Sequence, residues 1–209
     1  YVGRFDDGVY RTLDGGETWT QVGEGIPHKR VLSIAISPSD RTNGLNAVFA
    51  GTEPSNLYRS EDDGLTWHEF SELPKLPSSP GWSFPPRPWT SHVRWIAPHY
   101  TDPNLLFVGI ELGGVMRSTD GGATWEDRKP NSYHDSHVVL THPTAHGRVY
   151  EAAGGGGCRL QRRWPDLAAG RRRDGPPLRL GPGRRSGRPR PLVRLGQPRR
   201  ALRPRPQRP

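Results

Sequence analysis

Two glutamates, Glu53 and Glu111, stand at matching places in the chain. Each lies two residues after the glycine that closes an apolar run, Ala47-Val48-Phe49-Ala50-Gly51 and Leu105-Leu106-Phe107-Val108-Gly109. Two carboxylates that face one pocket can cleave a glycosidic bond, one as acid and the other as nucleophile or base, with their separation deciding the outcome. Solvated acids at a loop rim are the structural alternative. Further on, Tyr133-His134-Asp135-Ser136-His137 gathers two imidazoles around a carboxylate, so His134, Asp135 and His137 are candidates for ligand binding or proton transfer. The spacing also raises a metal, but His142 is separated from His137 by a whole strand, so no metal is expected. A third candidate is Gly81-Trp82-Ser83-Phe84-Pro85-Pro86-Arg87-Pro88-Trp89. Here Trp82, Arg87 and Trp89, stiffened by prolines, would form a stacking platform for sugar rings or an anchor for a protein. A packed lid over a junction is the other reading.

The elements that must carry these residues repeat. Thr12-Leu13-Asp14-Gly15-Gly16-Glu17-Thr18-Trp19, Ser60-Glu61-Asp62-Asp63-Gly64-Leu65-Thr66-Trp67 and Ser118-Thr119-Asp120-Gly121-Gly122-Ala123-Thr124-Trp125 are three copies of one pattern. Their tryptophans lie 48 and 58 residues apart, a spacing of one supersecondary unit per copy. Each copy follows a β-prone run (Val9-Tyr10-Arg11, Leu57-Tyr58-Arg59, Val115-Met116-Arg117) and leads into another, which puts it on a hairpin turn. Asp or Ser caps the turn, Gly supplies positive φ, and Thr and Trp resume the strand. Upstream of each apolar run lies a further strand stopped by a proline, which cannot donate to a ladder: Val31 to Pro38, His92 to Pro98, His137 to Pro143. Four antiparallel strands per unit make a propeller blade.

The pattern S/T-x-D-G-G-x-T-W resembles the Asp-box, or BNR, repeat of sialidase-like, sortilin-like and YVTN-type propellers, over residues 1 to about 157. The resemblance implies an all-β fold in which Thr12, Asp14, Gly16 and Trp19, Ser60, Asp62, Gly64 and Trp67, and Ser118, Asp120, Gly122 and Trp125 are structural and remote from the ligand. Asp63 departs from the usual Gly, in a place where Asp tolerates a left-handed turn. The Arg-Ile-Pro segment of sialidases is absent, which weakens that activity. Nucleotide loops, Cys/His zinc patterns and Ser-centred nucleophile motifs are absent too, so no cofactor is expected.

The net charge of +9 suggests a nucleic-acid partner until the chain is divided. Residues 158–209 hold 17 Arg against Asp166 and Asp174, a balance of +15, which leaves residues 1–157 with 13 basic and 19 acidic side chains, or −6. The Arg/Pro/Gly-rich tail is expected to be disordered. It is either a basic arm for nucleic acid or an out-of-frame translation of a further blade. Codons for Gln161 through Leu167, read from their second bases, permit serine, aspartate, glycine, glycine, arginine, threonine and tryptophan. That favours the frameshift, near Gly154 to Gly157, and removes nucleic acid as a partner. The chain begins with Tyr1-Val2-Gly3, inside a blade, and carries no run long enough for a membrane span. Its one cysteine, Cys158, says nothing about compartment, and localisation is not readable.

The expectation is therefore a partial β-propeller of about three four-stranded blades over residues 1–157. It would act as a binding or scaffold module for a carbohydrate or protein ligand, a photosystem-assembly-type chaperone being one variant. The alternative is a glycoside hydrolase, sialidase-like or xyloglucanase-like, using Glu53 and Glu111 on the face opposite the Asp-boxes.

Overall fold

Short β-prone runs punctuated by Gly and Pro leave no room for long helices. The computed structural model describes residues 1–130, 132–145, 147–154 and 157–161, and builds them from strands and two 3₁₀ turns. Among the described residues no helix is long and apolar enough to cross a membrane.

The strands form four antiparallel sheets in chain order. The first holds β1 (Val2–Arg4), β2 (Gly8–Arg11) and β3 (Thr20–Val22). The second is complete, with β4 (Val31–Thr42), β5 (Leu45–Thr52), β6 (Leu57–Ser60) and β7 (His68–Glu69). The third holds β8 (Val93–Pro98), β9 (Leu106–Ile110) and β10 (Gly114–Ser118), and a bridge between Arg117 and Glu126 stands where a fourth strand would run. The fourth holds β11 (Ser136–Thr141), β12 (Val149–Ala153) and β13 (Gly157–Gln161). The chain is all-β as expected, although the described residues form parts of four blades, the second with all four strands.

Successive sheets pack face to face, and the core lies between them. Val9, Val31, Val48, Ala50, Tyr58 and Trp67 fill the first gap, Phe49, Leu57, Val93, Val108, Ile110 and Met116 the second, and Ala97, Phe107, Val115, Val139 and Val149 the third. Neighbouring residues of β5 thus point into different gaps, because side chains alternate along a strand. An interior strand with both faces covered reads as a continuous apolar run, and each buried Val or Phe stabilises it by roughly 1.5–3 kcal/mol. The inner strands β4, β8 and β11 lie side by side and leave Ile36, Trp95 and Leu140 exposed beside a cleft of about 250 Å³.

Two expectations need correction. Pro38 does not end its strand: β4 continues to Thr42, with Arg41 opposite Asn46, because the proline sits in an irregularity between Ile36 and Arg41 where no ladder N–H is required. Asn43 and Gly44 then turn the chain with φ of 51° and 82°, an Asn-Gly hairpin signal that the sequence reading passed over. The tail expected to begin at residue 158 without packed structure instead enters β13, which pairs with β12 from Val149↔Gln161 to Ala153↔Gly157. Backbone pairing needs no particular side chains, so composition could not exclude it. The remainder of the expected disordered tail, residues 162–209, lies outside the described residues.

Candidate functional site

The box turns close one end of the sheets. In the second box Ser60 donates to Asp62 and accepts from the Gly64 N–H at 2.9 Å, while Asp62 accepts from both the N–H and the hydroxyl of Thr66. The Trp67 indole then donates to the Gly64 carbonyl at 2.8 Å. The other two copies repeat the pattern, with Thr12, Asp14, Gly16, Thr18 and Trp19 in one and Ser118, Asp120, Gly122 and Thr124 in the other; Trp125 makes no such indole bond. Burial pushes the Asp62 carboxyl upward, but the Thr66 and Ser60 hydrogen bonds outweigh it and hold its pKa at about 2. Asp120, held chiefly by Thr124, also lies at about 2. Asp63 adopts the expected left-handed turn, φ 62°, and its carboxylate takes the Tyr1 hydroxyl and the Arg11 guanidinium across the sheet boundary. These side chains are engaged with their own turns or with the adjoining blade.

The opposite ends of β6 and β10 carry Glu53 and Glu111. Glu53 has only 4% of its side chain exposed and sits between two arginines, Arg87 in a bidentate pair at 2.9 and 2.7 Å and Arg30 at 2.8 Å. Arg30 continues to Asp6 in the β1–β2 turn. Its guanidinium also stacks 4.1 Å over the exposed Phe5 ring. Burial alone would raise the Glu53 pKa, but the guanidiniums of Arg87 and Arg30 prevail and lower it. Both oxygens are occupied and the group stays ionised, so Glu53 holds no proton to deliver to a leaving group.

His92, only 3% exposed in its side chain, joins the two glutamates. Its Nε2 lies 2.9 Å from Glu111 Oε2 and its Nδ1 3.9 Å from Glu53 Oε2, with the Phe84 ring edge-on at 4.8 Å. Burial depresses the imidazole pKa against the pull of Glu111 and Glu53, which leaves it neutral at neutral pH. The two carboxylates are therefore spaced by an imidazole. Arg30 and His92 were missed as site residues. The repeat alignment carried the signal for His92, since it opens its inner strand as His137 opens another.

Trp82 is not a surface platform. It is 7% exposed and packs with Leu73, Leu76, Val93 and Ile110, and its indole donates to Ser78, whose hydroxyl Asp127 in turn fixes. A ring of this size fills the space between the second and third sheets, where water exclusion stabilises it most. Trp89, by contrast, is 80% exposed. Arg87 reaches Glu53 from a tight turn over Pro85 and Pro86, closed by its own N–H on the Phe84 carbonyl at 2.8 Å. Beside this loop face, Asp135 accepts from His137 Nε2 at 3.0 Å, and His134 is exposed. Glu111, Asp135 and His137 bring one ligand atom each to within 4.8 Å of one another.

Antiparallel sheets stacked in chain order, the first three with their box turns at one end, define a β-propeller segment. No family model matches the chain. It is 31% identical over 130 residues to a xyloglucanase of Hypocrea jecorina (strain QM6a), covering 56% of this chain and 15% of that enzyme. It is 27% identical over 165 residues to a xyloglucanase of Paenibacillus sp, covering 68% and 15%. In three dimensions it is similar to an ancestral GH74 enzyme, with a TM-score of 0.55 at 18% identity, over 77% of this chain and 21% of that one. The chain is a β-propeller segment that carries Asp-box, or BNR, repeats. It spans about 15% of the length of each of these two xyloglucanases.

Proposed function

We propose that these blades are part of a glycoside hydrolase that acts on a polysaccharide of the xyloglucan kind. The observation that carries this reading is the similarity to two xyloglucanases across the Asp-box blades. The charged loop face supports it, because Glu111, unlike Glu53, is paired with a neutral imidazole rather than with two guanidiniums. In this reading Glu111 works at the reacting bond, Trp89 stacks on a sugar ring, and Glu53 holds the loops in place. A carboxylate from a further blade completes the pair.

A second reading, ligand binding without turnover, is favoured by the double pairing of Glu53, which removes one of the two matched acids from chemistry. The full chain and its frame-restored counterpart, incubated with xyloglucan and with unsubstituted β-glucan, separate the two. Release of reducing ends from xyloglucan, lost in Glu111→Gln with the fold retained, supports the hydrolase. Retardation in a xyloglucan gel without turnover by either chain, weakened by Trp89→Ala, would replace it with the binding module.

A further inference from the structure

The loop face holds a group of donors of which the hydrolase reading uses Glu111 alone. Glu111 comes from the β9–β10 turn, and Asp135 and His137 from the crossing into β11, so segments from two sheets converge. Their ligand atoms lie within 4.8 Å of one another, and the Asp135–His137 contact is already 3.0 Å. Around a first-row ion with bonds of about 2.0–2.2 Å, neighbouring donors stand roughly 3 Å apart. Binding an ion would draw Glu111 closer to the other two.

Two independent features support these positions. His92 is buried and directs Nε2 at Glu111 Oε2, 2.9 Å away, while its other nitrogen has no hydrogen-bond partner. An imidazole N–H that donates to a metal-bound carboxylate is the outer-shell partner such ligands usually have. On the far side, the Gly154 N–H donates to the Asp135 carbonyl at 2.8 Å, and a Cβ at position 154 would overlap the Asp135 carboxylate. Only glycine leaves that carboxylate room to stand where it does. Arg94, whose Nε is 3.8 Å from Glu111 Oε2, is half exposed and free to swing into water.

We propose that Glu111, Asp135 and His137 bind one divalent first-row transition-metal ion, with His92 orienting Glu111 as its outer-shell partner. Two carboxylates with one imidazole suit zinc or manganese, whereas calcium and magnesium take oxygen ligands alone. The site shares Glu111 with the hydrolase reading, and its test reads metal binding rather than turnover.

The test is calorimetric titration of zinc chloride into the chelator-treated full chain, in a Cys158→Ser background so that the thiol supplies no ligand. One equivalent should bind. Asp135→Asn and His137→Gln should each weaken it by more than about tenfold, and His92→Gln by about tenfold at unchanged stoichiometry. Manganese added to the unsubstituted chain should broaden the imidazole proton signals of His92 and His137 before those of His28, His68, His99 and His142. That arm requires no variant to fold. Absence of binding, binding that survives Asp135→Asn with His137→Gln, or broadening that begins at other histidines would each overturn the proposal.

Discussion

Asp62 is tied to Thr66 and Ser60 within one turn, and removing it leaves the Thr66 N–H and hydroxyl without their acceptor. Asp62→Ala should cost about 1–2 kcal/mol in denaturant melts. Its folded pKa of about 2 lies below the ordinary aspartate value, so its ionised form contributes stability above about pH 4 that disappears as pH falls toward 2. In Asp62→Asn that part of the acid slope should vanish, measurable as a flatter stability curve between about pH 4 and pH 2. Glu53 follows the same sign, since its pKa is also lowered. Glu53→Gln leaves Arg30 and Arg87 without their shared anion, and about 2 kcal/mol of destabilisation is expected after allowance for their partial exposure. The role of Glu53 was not legible from its matched position with Glu111. Repeat alignment places a residue in a loop, but its partners come from crossings of unequal length and composition, and only the fold brings Arg30 and Arg87 together.

At the scale of elements, the crossing between the second and third sheets separates two tryptophans that look alike in sequence. Trp82→Ala should cost about 3–5 kcal/mol because it opens a cavity against Leu73, Leu76 and Val93, whereas Trp89→Ala should change the stability by no more than about 0.5 kcal/mol. Paired thermal and urea melts of the two variants check this, and equal losses would contradict it. Neighbouring prolines stiffen the loop around both residues, but proline content says nothing about which ring points inward. Strand existence was legible because alternating burial, Gly-rich turns and hairpin spacing all act locally. The extent of β4 was not, since a proline inside an irregularity is tolerated only when the partner strand continues past it, as Asn46 and Leu45 do here.

At the scale of the whole chain, β13 occupies in the fourth sheet the place that β6 and β10 hold in the second and third, third in order, and it starts four residues after the end of its predecessor, as β2 and β10 do. That placement is consistent with a reading frame that once continued into a fourth box from Gln161. Sequencing the gene should reveal a one-base change near the codons for Gly154 to Gly157 that restores Ser-Asp-Gly-Gly-Arg-Thr-Trp downstream. An intact frame ending in the arginine-rich segment would return nucleic acid to consideration, with salt-sensitive binding as its mark. The stacking of the sheets has its own thermodynamic consequence, because the element pairs in substantial contact lie within one sheet or between successive sheets. Such an array behaves as a linear chain of coupled units, in which the end sheets lose one neighbour and the second and third keep two. Melting should therefore fray inward from both ends, and scanning calorimetry should return a van't Hoff enthalpy smaller than the calorimetric one, the signature of unfolding in more than one cooperative step.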